Sequence, residues 1–213
     1  MADEIGRQRT EVSVPATTGA GFGDPGPLGL AGFAATTFFL SVINTNMLGA
    51  SVQAIVFGLA FFYGGIAQLA AGLWEFAKGN TFGAVAFCSY GAFWLSFWWM
   101  LTHLPQGAKP NDLLHGVGLY LLCWAIFTAY MTVAASRTTG AIFLVFILLT
   151  LTYIALVIGF FSESVADFEA NSNGWIHVGG WIGILTAIAA WYASFAGVTN
   201  STFKRVVAPV FPR

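Results

Sequence analysis

Charge is what this sequence lacks most: 8% of its residues are Asp, Glu, Lys or Arg, against about 25% in soluble domains. A chain so poor in charge cannot cover itself with a solvated surface, which excludes a soluble globular domain. Reactive chemistry is just as scarce. The two cysteines, Cys88 and Cys123, both fall in apolar runs, where they fit small hydrophobic packing better than a disulfide or a metal pair. The three histidines, His103, His115 and His177, stand at expected helix ends, and no H-E-x-x-H, C-x-x-C or Walker pattern accompanies them. No carboxylate pair lies in the middle of an apolar run. The sequence therefore reads as no enzyme, with no metal and no cofactor. A net charge of −1 gives no basis for binding nucleic acid. The first 23 residues lack an apolar core, which excludes a cleaved signal peptide and leaves a flexible tail.

What is present is hydrophobicity. Apolar residues make up 57% of the chain and its mean hydropathy is +0.76. A helix needs roughly 20 apolar residues to cross the hydrocarbon core. Six such stretches run over Pro27–Ile43, Val52–Phe76, Phe82–Leu101, Leu113–Ala135, Ala141–Phe161 and Trp175–Ala196. The expected fold class is all-α, a polytopic six-transmembrane-helix bundle occupying residues 24–200, with tails at 1–23 and 201–213. Connections such as Asn44–Ser51 and Arg137–Gly140 are too short for a second domain. No internal repeat is evident, although two inverted halves of three helices stay open as an arrangement.

Orientation comes from the basic residues. Arg7, Arg9, Lys78, Arg137, Lys204, Arg205 and Arg213 fall on one side of the six spans and only Lys109 on the other. The positive-inside rule then puts both termini in the cytoplasm. Asp112, Glu163, Asp167 and Glu169 become external, and are expected as solvated loop acids.

Several polar but uncharged residues sit at membrane depth: Thr36, Thr37, Asn44, Gln68, Ser89, Tyr90, Thr128, Thr150 and Thr152. An unpartnered hydroxyl or amide costs a few kcal/mol in an apolar medium. A Thr or Ser can bond back to its own helix, so for these a structural role is the plainer reading. A primary amide carries two donors that one carbonyl cannot satisfy, so Asn44 and Gln68 are candidates to line a permeation path. The G-x-x-x-G at Gly179–Gly183, and Ala67, Ala71 and Gly72, let helices approach closely without defining a unique dimer face. The run Asp24-Pro25-Gly26-Pro27-Leu28-Gly29-Leu30 reads as an Asp N-cap with Pro at the first helical position. Such a helix start attracts anions through its free N–H groups, and it is equally an ordinary capped helix entering the membrane. Glu75 and His177 are the ionisable residues nearest the expected path. Glu75 also reads as the partner of Lys78, three residues on.

The run Asp24–Phe33 (D-P-G-P-L-G-L-A-G-F) closely resembles the N-P-A-P-L-G-L signature of the acetate uptake transporter family, which includes the succinate–acetate permeases. F-Y-G-G-I-A-Q (Phe62–Gln68), E-F-A-K-G-N-T-F-G (Glu75–Gly83), S-Y-G-A-F-W (Ser89–Trp94) and H-V-G-G-W-I-G (His177–Gly183) follow in order. The resemblance implies a homohexamer in the plasma (cell inner) membrane, surrounded by lipid, with a pore for acetate and similar monocarboxylates, or succinate, in each protomer. It implies a constriction of a Phe, a Tyr and a Leu, which fall on Phe33, Tyr90 and Leu151. Asn44, Gln68, Thr36 and Thr37 would line the pathway, with Glu75 and His177 as proton-linked groups. Proton-coupled transport is the leading expectation; a channel-like anion pore and an acetate sensor are the alternatives. Asp24 departs from the family's Asn and adds a negative charge where an anion would approach, unless it is paired or protonated.

Overall fold

The structure, a computed structural model, describes residues 21–170 and 172–212. Most of the expected N-terminal tail, including Arg7 and Arg9, lies outside the described residues, as do Arg213 and the side chain of Glu169. The rest is all-α. Six helical spans are long and apolar enough to cross a membrane, over Gly26–Asn44, Ala50–Ala77, Thr81–Thr102, Pro110–Ala135, Gly140–Ser162 and Gly174–Phe203. They form one membrane-spanning bundle, whose helices are α1 (Gly26–Asn44), α2 (Ala54–Gly58), α3 (Gln68–Ala77), α4 (Thr81–Thr102), α5 (Pro110–Ala135), α6 (Gly140–Ser162), α7 (Val165–Ala170) and α8 (Gly174–Phe203).

The second span is composite. A 3-10 turn at Ala50–Val52 leads through α2 into nine residues of π-helix, Leu59–Ala67, before α3. The Gly64-Gly65 pair sits in this wider coil. Thr36 bridges to it, donating to its own Gly32 carbonyl at 2.9 Å and to Leu59 at 3.4 Å. Close approach there depends on glycine: a methyl on Gly64 would stand 2.5 Å from the Thr36 hydroxyl.

Helix α8 packs along both α1 and α6, and α5 along α6. Gly180 faces the backbone of Ser41–Thr45, Gly183 faces Ser41, and Gly179 faces Leu156. The G-x-x-x-G pattern is therefore consumed inside the protomer, bringing α8 against α1 and α6. The helices are apolar all round, and their outward faces carry residues such as Leu119, Ile126 and Val133. That fits lipid contact. Both cysteines are free, Cys88 half-buried and Cys123 exposed on the outside of α5, so only Cys88 behaves as the expected packed side chain.

The segment 201–213, expected as a tail, is built differently over its described part. Helix α8 continues to Phe203, Lys204 takes a left-handed conformation, and the chain folds back. Asn200 holds it, accepting from Val207 and Ala208 at 2.7 and 3.0 Å and donating to Ala208 at 2.8 Å. Tyr192 donates to Pro209 at 2.7 Å. The carbonyls of Phe211 and Val210 then accept the first N–H groups of α6, from Gly140 and Ala141. A composition rich in Val and Pro gave no hint of this cap.

Candidate functional site

Helix α1 crosses the bundle from Gly26, just after Asp24, to Asn44, and a cavity opens near each end of it. The Asp24-side cavity has a volume of about 370 Å³ and includes Leu30, Gln68, Glu75, Asn80 and Tyr90 among its walls. The Asn44-side cavity, about 250 Å³, includes Thr37, Ser41, Trp94 and Tyr153. Phe33 and Leu149 line both. The Tyr90 ring lies against Phe33, with centroids 5.7 Å apart. Phe33 and Leu149 thus stand between the two cavities, with Tyr90 beside Phe33 on the Asp24 side.

Leu149, and not the expected Leu151, lines both cavities. Leu149 is 4% exposed, whereas Leu151 is 46% exposed on the outside of α6 and lines neither cavity. Two residues along a helix turn the side chain by roughly 200°, which is the difference between neck and outer surface. Tyr90 is fixed by a 2.9 Å hydrogen bond to Thr128 and by ring contacts with Trp124, Phe127 and Phe146.

Of the polar candidates, Gln68 is 1% exposed and its side chain makes no hydrogen bond, its Oε1 fully enclosed. It borders the Asp24-side cavity. Thr37 and Asn44 border the other, and the Thr37 hydroxyl is buried without a partner. Thr36 borders neither cavity: its hydroxyl serves the contact between α1 and the π-helix. Thr150 and Thr152 bond back to Phe146 and Leu148. Ser41 and Tyr153 were not singled out by sequence. Each is one hydroxyl in a run of apolar residues, and only the helix phase shows that both face the cavity.

At the mouth, Pro25 rather than Asp24 occupies the cap position, with no side-chain cap. Asp24 stands one residue earlier yet still accepts the Gly26 N–H at 3.2 Å. Pro27 and Leu30 line the cavity, Gly29 packs under the Phe87 ring, and Leu28 points outward. Pairing also differs from expectation. Lys78 lies 2.8 Å from Asp24, while Glu75, 2% exposed, accepts from Asn80 at 2.8 Å. Helix α3 ends at Ala77 and the chain turns through Gly79 at φ 77°, which carries Lys78 off the face that holds Glu75. The pairing of Asp24 answers the charge introduced at this position. His177, at the start of α8, borders neither cavity.

Glu163 is the unexpected acid. It is 7% exposed rather than solvated, with Oε2 lacking a partner. Burial, aided by the negative charge of Asp167, pushes its carboxyl up to about 7. Asp167 stays low because Ser164 donates to it, at 2.6 Å through its hydroxyl. Among the described residues no group of His, Cys, Asp and Glu could hold a metal ion.

A neck between two cavities can pass a small solute and exclude a large one. The chain is 44% identical to the accumulation of dyads protein 2 of Saccharomyces cerevisiae, over 90% of this chain and 66% of that protein. It thus spans slightly under two thirds of that fungal relative's length. It is 36% identical to the succinate-acetate/proton symporter SatP of Escherichia coli K12, over 88% of this chain and 94% of that one. A solved structure of the bacterial acetate channel SatP superposes with a TM-score of 0.77 at 36% identity, covering 89% of this chain and 99% of the other. The model of the GPR1/FUN34/yaaH family matches residues 8–213, and the chain belongs to that family.

Proposed function

We propose that this chain carries acetate and similar small monocarboxylates, succinate among them, across the plasma (cell inner) membrane. The path runs through each protomer, from one cavity past Phe33, Tyr90 and Leu149 to the other. The observation that carries this reading is that Phe33 and Leu149 line two cavities at once, with the unpartnered Gln68 amide on one side. Relatives named as a succinate-acetate/proton symporter and an acetate channel support the substrate class. Neutral donors suit a carboxylate because they bind it without trapping it. The apolar neck sets a desolvation barrier that is large for the anion and smaller for the neutral acid, which favours transport coupled to a proton. Glu75, buried at the Asp24-side mouth, is the ionisable group placed to take part. The excess of Lys and Arg at the Asp24 end supports cytoplasmic termini. The apolar outward faces support a homo-oligomer, six-fold by resemblance to the family.

The test is uptake of labelled acetate into proteoliposomes with and without an imposed pH gradient. Uptake accelerated by an inward proton gradient is expected. Gradient-independent uptake would make the protein a channel-like pore, and uptake no faster than in empty liposomes would overturn the reading.

A further inference from the structure

Beyond Phe203 the chain turns back through Lys204 at φ 53° and forms a strap over residues 205–212. The strap is held unequally along its length. Its root, residues 207–209, is fastened to α8, the helix it comes from. Asn200 accepts from the Val207 and Ala208 N–H groups and donates to the Ala208 carbonyl, and Tyr192 donates to the Pro209 carbonyl. Ala208 is buried there, and Pro209 has its φ fixed by its ring. The tip, residues 210–212, crosses to a different helix and meets the start of α6.

Backbone groups dock the tip. Gly140 donates to Phe211 at 2.7 Å, Ala141 donates to Val210 at 3.2 Å, and Thr139 pairs with Pro212 in an antiparallel bridge. The approach needs glycine, since a methyl on Gly140 would stand 3.0 Å from the Phe211 Cβ. Two features oppose the docking. Phe211 sits at φ 54°, a left-handed conformation that is unfavourable for a bulky residue. Its ring is also 61% exposed, so docking gains little from it. The apolar gain comes from Val210, which packs against the bundle core and forms part of the Asp24-side cavity wall. A segment with a firm root, a strained tip and one sealing side chain can leave its seat without unfolding the helices around it.

Val210 seals the cavity far from the neck. Its bonding partner Ala141 precedes Leu149 by eight residues of α6, roughly 12 Å along the helix. The partly exposed Asp24 and Lys78 belong to the same cavity, which makes this end the mouth. We propose that the strap tip, residues 210–212, is a gate on the Asp24-side mouth. Docked on α6 it narrows the mouth with Val210, and swung away about Pro209 it opens the cavity to solvent. The inference rests on the permeation reading above and adds to it a moving part remote from Phe33, Tyr90 and Leu149.

The experiment uses the full chain with Cys88→Ser and Cys123→Ser, reconstituted in liposomes. Facing residues of an antiparallel bridge have Cα atoms about 4.5–5.5 Å apart, within disulfide range. Thr139→Cys combined with Pro212→Cys should therefore cross-link on mild oxidation and lock the tip on α6. Uptake of labelled acetate is expected to fall severalfold on oxidation and to return with dithiothreitol, while the parent responds to neither. A pair that forms no disulfide contradicts the docked tip. A disulfide that forms and leaves uptake unchanged overturns the gate while leaving the permeation reading intact. A second readout needs no transport. Ala193→Cys, on the cavity wall contributed by α8, is treated in detergent with a water-soluble methanethiosulfonate reagent, with and without the oxidised pair. The lock should slow its labelling severalfold, and equal rates overturn the gate. A parent that carries no acetate fails the permeation reading, and the labelling rates still decide the gate.

Discussion

The rings of Phe33 and Tyr90 meet with centroids 5.7 Å apart and planes tilted by 48°, yet the two are held very differently. Tyr90 is pinned by its bond to Thr128 and by three further aromatic neighbours. Phe33 borders open space on both sides. In the proposed path Tyr90 is thus the fixed wall of the neck, and Phe33 together with Leu149 sets its width.

Truncating the movable side should widen the range of acids carried. Phe33→Ala and Leu149→Ala are expected to admit butyrate and larger acids that compete poorly with acetate in the wild type. Leu151→Ala, on the outer face of α6, should leave the ranking unchanged. The measurement is competition by formate, acetate, propionate, butyrate and succinate at matched expression. An unaltered ranking in Phe33→Ala and Leu149→Ala would return both to plain packing.

For Tyr90, removing the hydroxyl alone separates width from polarity. Tyr90→Phe leaves the ring in place and deprives Thr128 of its partner, a loss of about 1–3 kcal/mol in stability. The size limit should hold while the melting temperature falls and the rate changes. A broadened size range in Tyr90→Phe would mean that the hydrogen bond, and not the ring, positions the wall.

The contrast between Leu149 and Leu151 shows where sequence reasoning stops. The six spans were legible because lipid demands long uncharged runs, and Gln68 stood out because an amide in such a run has no bland explanation. The segment around Leu149 offers no such marker. Helix α6 is apolar on every side, so its pattern carries no phase, and which Leu faces the neck follows only from packing against α5 and α8. Glu75 and Lys78 misled for a related reason. Their spacing suits a pair on a continuous helix, but α3 ends between them. Glu163 was read as a loop acid because sequence shows that it follows a span, not that the chain buries it there.

The pairing of Asp24 with Lys78 predicts the effect of restoring the family's residue. Both side chains are partly exposed, 32% for Lys78 and 50% for Asp24, so the pair contributes about 1 kcal/mol or less. Asp24→Asn should barely move the melting temperature. It removes one negative charge from the Asp24-side mouth and frees Lys78, so the half-saturation constant for the acetate anion should fall when measured from that face. A constant that stays the same or rises would show that Lys78 does not act on the approaching anion.

Glu163 predicts a pH dependence of opposite sign to that of an ordinary salt-bridged acid. Its carboxyl is raised from 4.5 to about 7 in the folded chain, so the native arrangement binds the proton more tightly than the unfolded one. The stability it contributes is full below pH 4.5 and is lost as pH rises toward 7. Hydrogen exchange at residues 163–167 should therefore quicken across that window, after correction for intrinsic exchange, and Glu163→Gln should flatten the change. A dependence that survives in Glu163→Gln would assign the titration to another group.

Gln68 offers the sharpest separation of function from stability. Its side chain is enclosed at 1% exposure, it makes no hydrogen bond, and it borders the cavity through which substrate would reach the neck. A buried amide used for structure contributes to stability through its bonds, and its replacement by an apolar residue destabilises the protein. A buried amide without bonds does the reverse: it holds an unfavourable desolvation of about 1–3 kcal/mol that an apolar side chain of similar size relieves. Gln68→Leu should therefore melt at the same temperature as the wild type or higher, while acetate uptake falls or its half-saturation constant rises. Melting in detergent and uptake in proteoliposomes, measured on one preparation, give both signs together. Loss of stability with normal uptake would make Gln68 an interhelical strut, and would remove the main polar contact proposed on the Asp24 side of the neck.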